Sequence, residues 1–83
     1  MSSLNQVTLG GRLGADPEVR HTTNDKAVAN FRIATSETWR DKESGEKRER
    51  TEWHTIEVWG KQAETCGEYL SKGRSVCVQG KLR

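Results

Sequence analysis

Residues 51–60 read Thr-Glu-Trp-His-Thr-Ile-Glu-Val-Trp-Gly, and the run alternates with a period of two. In a strand, successive side chains face opposite ways, so His54, Ile56 and Val58 share one face and Trp53, Thr55, Glu57 and Trp59 share the other. Ile56 and Val58 are the expected core pair. The opposite face then carries two indole rings among Thr and Glu, on the wetter side of the sheet, where large rings are scarce because they attract unwanted partners. Such a face suits a flat ligand, and a nucleobase stacked on an aromatic ring contributes roughly 1–3 kcal/mol. A second packing layer is the other arrangement the pattern admits, because tryptophan is highly buried on average and forms strands readily.

The chain has 83 residues, enough for one small domain that buries only about 60–65% of the surface its unfolded state exposes. Hydrophobic and charged residues each make up 31% of it and the mean hydropathy is -0.92, so an isolated monomer is marginal and self-association or ligand binding is expected. A net charge of +2 and a pI near 8.7 permit a polyanionic partner without marking a frankly basic domain. Cys66 and Cys77 form no Cys-x-x-Cys pair and have no clustered histidines, so they read as reduced, packed thiols, with no metal and no cofactor. Neither His21 nor His54 has a neighbouring nucleophile and acid, and no glycine-rich phosphate loop is present, which argues against an enzyme. The N-terminus has no signal-peptide pattern and no run approaches a membrane span, so a soluble cytoplasmic protein is expected.

Leu4 to Gly14 alternates as a first strand, bent by glycines at 10, 11 and 14, with Asp16 and Pro17 ending the pairing. After the Asn24-Asp25 turn, Ala27 to Thr38 is a second strand with Ala29, Phe31 and Ile33 on one face and Asn30, Arg32 and Ala34 on the other. Residues 40–50 contain no apolar side chain, have a Ser-Gly breaker, and carry five basic and four acidic residues. They read as a mobile hairpin loop, either self-paired or a phosphate-binding arm. The third strand spans residues 51–60. Helical spacing then places Ala63, Cys66, Tyr69 and Leu70 on one face of a helix over 61–72, capped by Gly73. Arg74 to Leu82 returns to period two as a fourth strand. Strand, strand, strand, helix, strand with a curved first strand fits the oligonucleotide-binding fold, a mostly β, five-stranded Greek-key barrel with one helix. The final strand is missing from that count, so the chain reads as truncated, with the first and fourth strands left unpaired at their edges.

The motifs Gly-x-Leu-Gly-x-Asp-Pro-Glu-Val-Arg at 11–20, Ala-Thr-Ser-Glu-x-Trp-Arg-Asp-Lys at 34–42 and Thr-Glu-Trp-His at 51–54 resemble bacterial single-stranded DNA-binding proteins. Gly60-Lys61, Glu68-Tyr69-Leu70, Lys72-Gly73 and Gly80-Lys81-Leu82-Arg83 extend the resemblance over the whole chain. It implies sequence-nonspecific binding and protection of single-stranded DNA in replication, recombination and repair, at the bacterial nucleoid. It implies base stacking on Trp39 and Trp53, and on Trp59 where the family often has phenylalanine. Phosphate contacts would fall on Arg20, Arg40, Lys42, Lys61 and Lys72, and His54 would lie at a subunit interface. The family assembles as homotetramers and recruits replication and repair proteins through an acidic tail, whereas a truncated form could stop at a dimer. Two departures stand out. Thr55 replaces a commonly basic residue, while Lys47, Arg48 and Arg50 add charge to the loop. The chain also ends at Arg83, before a further stacking tryptophan, the closing strand and the tail. Two rival expectations are a replication-restart scaffold of the same fold and an assembly fragment that oligomerises but binds DNA weakly.

Overall fold

In the computed structural model, which describes residues 3–83, alternation builds the sheet that the sequence predicts, with the elements redistributed. The strands are β1 (Val7–Leu13), β2 (Glu18–His21), β3 (Ala27–Arg40), β4 (Lys47–Trp59) and β5 (Ser75–Gly80), with α1 (Lys61–Tyr69) between the last two. All pairings are antiparallel. β3 is the central strand. One edge pairs with β4 along its length, from Val28↔Trp59 to Arg40↔Lys47. Its other edge takes β2 first, from His21↔Ala27 to Glu18↔Asn30, and then the end of β1 at Leu13↔Ile33 and Arg12↔Ala34.

β1 and β2 are one strand interrupted by a bulge, in which residues 14–17 stand opposite 31–32 of β3. Pairing therefore resumes beyond Asp16 and Pro17 instead of ending there. Pro17 falls inside the bulge, where no ladder hydrogen bond is required of it. The rest of β1 turns away to pair with β5, from Val7↔Gly80 to Arg12↔Ser75. The change of partner brings Gly11 so close to β3 that an added Cβ would stand 2.3 Å from the Ala34 carbonyl oxygen.

Inward-facing residues make the core. Leu13, Phe31, Ile33 and Ile56 are buried, with Leu9, Val58, Cys66, Leu70, Val76 and Val78 packed around them. Small side chains let α1 approach the sheet, Ala63 meeting Ala27 and Ala29. The helix ends at Tyr69, where Leu70 turns extended (φ -98°, ψ 145°), so Tyr69 is exposed and not on the buried face. Gly73, at φ 86°, does not cap the helix. It belongs to a turn closed by the Arg74 N–H on the Ser71 carbonyl at 3.1 Å.

The charged run expected as a loop over 40–50 is only in part a loop, because Arg40 and residues 47–50 belong to strands and the turn is confined to residues 41–46. A two-stranded ribbon with water on both faces accommodates such charges, and here one opposite-sign pair and one hydroxyl pair meet across the ladder, while Arg40 stands opposite Lys47. Glu37 faces Arg50, and the Ser36 and Thr51 hydroxyls lie 3.1 Å apart. The ribbon projects from the body, giving a radius of gyration of 16.2 Å against about 12 Å for a compact chain of this length. β5 stops at Gly80, so Leu82 leaves the alternation and is exposed, its backbone held by both amide atoms of Asn5.

This is the oligonucleotide-binding architecture as an open sheet. β1 meets β3 only at Arg12 and Leu13, so from Val7 to Gly11 its second edge is open, and the outer edge of β5 is open along its length, as the sequence suggests for the first and last strands. Among the described residues, the unpaired edges are the outer ones of β2, β4 and β5, with the second edge of β1 before Arg12 and that of β3 beyond Ala34. No helix among them is long and apolar enough to cross a membrane.

Candidate nucleic-acid interface

Residues opposite one another in an antiparallel ladder project to the same face, so the register assembles the outer surface row by row. Moving along β3, the rows are Val28, itself buried by its neighbours, with Trp59, then Asn30 with Glu57, Arg32 with Thr55, and Ala34 with Trp53. β2 adds Arg20 beside Val28 and Glu18 beside Asn30, and β1 adds Arg12 beside Ala34. Two tryptophans and three arginines thus share one sheet face. Trp53 is 49% and Trp59 53% exposed, so no packing layer from the described residues covers them.

Each of these rings is held. An added Cβ on Gly14 would come within 2.5 Å of the Trp53 ring, so the glycine gives the indole a place to lie against the backbone of the bulge. The Arg32 guanidinium stands 5.2 Å from the Trp53 ring centroid, a cation–π contact that also puts a positive charge beside the ring. Trp59 donates its indole N–H to Glu57 Oε1 at 2.6 Å. Trp39, 47% exposed, pairs with Arg48 on the opposite face of the ribbon from Trp53 and Trp59.

The other expected contact residues are distributed differently. Arg20 lies in the Trp59 row. Arg40 closes the ribbon by donating to the Gly45 carbonyl at 3.1 Å, and Lys42 is exposed in the turn that follows. Lys61 opens α1, and Lys72 follows it in a turn where its backbone N–H donates to Asp16 Oδ1 at 2.8 Å, so neither stands in a ladder row. His54 is half-buried on the inner face, with Nε2 2.8 Å from the Thr35 hydroxyl. Among the described residues, no cluster of His, Cys, Asp and Glu could hold a metal.

Arg12, Gly14, Arg32 and Glu57 are among the members of this face that the sequence does not mark as contact residues. For Arg32 a signal existed, since it alternates with Asn30 and Ala34 on the outward side of β3. Gly14 carried none, because its role depends on a ring 39 positions later in the sequence.

The cysteines separate. Burial pushes the Cys66 thiol above its ordinary pKa, whereas Cys77, outward between Val76 and Val78, is exposed and not packed as expected. With a disulfide-exchange chromophore at pH 8, Cys77 is expected to react at least tenfold faster than Cys66, because the reactive species is the accessible thiolate. Equal rates would show that α1 detaches readily from the sheet.

The model of the Single-strand binding protein family matches residues 4–83. Among solved structures, a Plasmodium falciparum SSB in complex with ssDNA is 39% identical with a TM-score of 0.90, over 100% of this chain and 74% of that one. A deletion mutant of the single-stranded DNA binding protein from Thermus aquaticus is also 39% identical, with a TM-score of 0.82, over 95% of this chain and 38% of that one.

Proposed function

The chain belongs to the single-strand binding protein family, and from that premise we propose that it binds single-stranded DNA without strong sequence preference, by stacking bases on exposed tryptophans. The observation that carries this reading is Trp53, solvent-facing, seated against Gly14 and flanked by Arg32. Stacking accepts any base, and the arginines of the same face attract the phosphates and release condensed counterions. Duplex is disfavoured because paired bases present their faces only after unstacking. Trp39 offers a further ring on the opposite face of the ribbon, whose tip carries Arg40 and Lys42, and Lys61 and Lys72 offer further contacts at the two ends of the helix. Binding of this kind requires no chemical step. It protects strands exposed in replication, recombination and repair, at the nucleoid of a bacterial cell. Copies of the chain would associate with His54 near their interface, as tetramers or dimers, and replication and repair proteins would be recruited through an acidic tail.

A fluorescence titration with oligo-dT and a matching duplex tests the reading. Strong quenching by the single strand alone, weakening with salt, is the expected result. Quenching by neither strand would refute it. Within the same experiment, Arg32→Met is expected to flatten the slope of log affinity against log salt by about 1, the signature of one lost phosphate neighbour. An unchanged slope would confine Arg32 to packing on the indole.

A second reading draws on the open edges of β4 and β5, which offer backbone groups to another strand. In it the chain is an assembly unit or scaffold that oligomerises and binds DNA weakly. Light scattering after size exclusion separates the two: a uniform oligomer that takes up DNA stoichiometrically supports the first reading.

A further inference from the structure

One row of the outer face is not basic. Glu18, Asn30 and Glu57 lie side by side across β2, β3 and β4, between the Trp59 row and the Arg32 row. Glu18 and Glu57 are exposed and Asn30 is half-buried, so two carboxylates face the solvent with an amide between them, each one strand spacing from Asn30. In a track that holds phosphates, this row repels them. A DNA backbone crossing the face therefore runs past the arginines, and the row meets bases instead.

Glu57 is also fixed in place. Its Oε1 accepts the Trp59 indole N–H at 2.6 Å, which couples the carboxylate to the ring and leaves Oε2 free. A base stacked on Trp59 would bring its Watson–Crick edge toward Glu57, since an unpaired strand leaves that edge open. A carboxylate accepts and never donates, so it discriminates by donor pattern. Guanine presents its N1–H and N2 amino group together and adds an O6 acceptor for the Asn30 amide. Cytosine and adenine present one amino group each. Thymine offers a single N–H between two carbonyl oxygens, both of which the carboxylate repels.

Resting on the single-strand-binding reading above, we infer that Glu57, with Asn30 and Glu18 in its row, forms a base-edge-reading subsite beside Trp59 that favours amino-bearing bases, guanine foremost, over thymine. The protein therefore combines tolerant stacking at Trp53 with a graded preference at Trp59.

The test compares an oligo-dT with an alternating dT-dG strand of equal length, in the wild type, Glu57→Gln and Glu57→Val. The quantity read is the ratio of the two affinities, and its change between variants cancels differences in strand flexibility and stacking. The wild type is expected to favour the guanine-containing strand by about tenfold relative to Glu57→Val, with Glu57→Gln in between. A ratio identical in all three proteins, with altered Trp59 emission in the variants, would overturn the inference and leave Glu57 as a prop for the indole. Failure of the wild type to bind either strand would overturn the single-strand-binding reading itself, and this inference with it.

Discussion

Gly11→Ala is expected to destabilise the fold by about 3 kcal/mol or more, whereas Gly10→Ala, one residue away, should change it by less than about 1 kcal/mol. The contrast follows from what each new methyl group meets. At Gly11 it would stand 2.3 Å from the carbonyl oxygen of Ala34 and 3.0 Å from the carbonyl carbon, both backbone atoms of the central strand that cannot step aside. At Gly10 the nearest atom is 3.9 Å away, an ordinary contact. A domain of this size holds only about 4–12 kcal/mol of stability in total, so the Gly11 substitution removes a large part of it. Urea titrations of the two variants read the difference directly. If Gly11→Ala melted with the wild type, the close passage of β1 over β3 at Ala34 would be wrong.

Trp53→Ala is expected to weaken binding to oligo-dT by roughly 1–3 kcal/mol, about five- to 150-fold, with the urea midpoint little changed because half of the ring is already in water. Gly14→Ala serves as its structural counterpart. The ring atoms Cζ3 and Cη2 would lie 2.5 and 2.8 Å from the new methyl, so the indole must tilt off the bulge and lose its orientation toward Arg32. Affinity should fall severalfold in Gly14→Ala although no aromatic ring has been removed. Normal affinity in Trp53→Ala would move the stacking role to Trp39 or Trp59.

Much of this could be read from the residues because alternation is a local signal. The inward positions of β3 and the split of Trp53 and Trp59 from Ile56 and Val58 follow from period two alone. Polarity misled the reading of residues 40–50. A ribbon solvated on both faces has no apolar side, so the pattern that identifies a half-buried strand is absent even though the ladder continues to Arg40↔Lys47. Pro17 misled in the opposite direction, since a bulge absorbs a residue that a continuous ladder would reject. The partnership of Gly14 with Trp53, and the row formed by Glu18, Asn30 and Glu57, depend on register between distant strands. Register is set by the assembled sheet and is not visible in any one segment.

The double duty of β1 also bears on how the domain comes into being. The β3–β4 hairpin is local and can zip from its turn, but β1 finds its second partner only in β5, and the bonds between Asn5 and Leu82 bridge 77 positions. Closing so large a loop costs entropy before any contact repays it, and topologies of this kind fold slowly. A nascent chain would therefore display a finished hairpin, with Trp39 and Trp53 already presented, while β1 waits. During that interval its Val7, Leu9 and Leu13 side chains stand open to other chains, which makes β1 the segment most in need of a chaperone's cover.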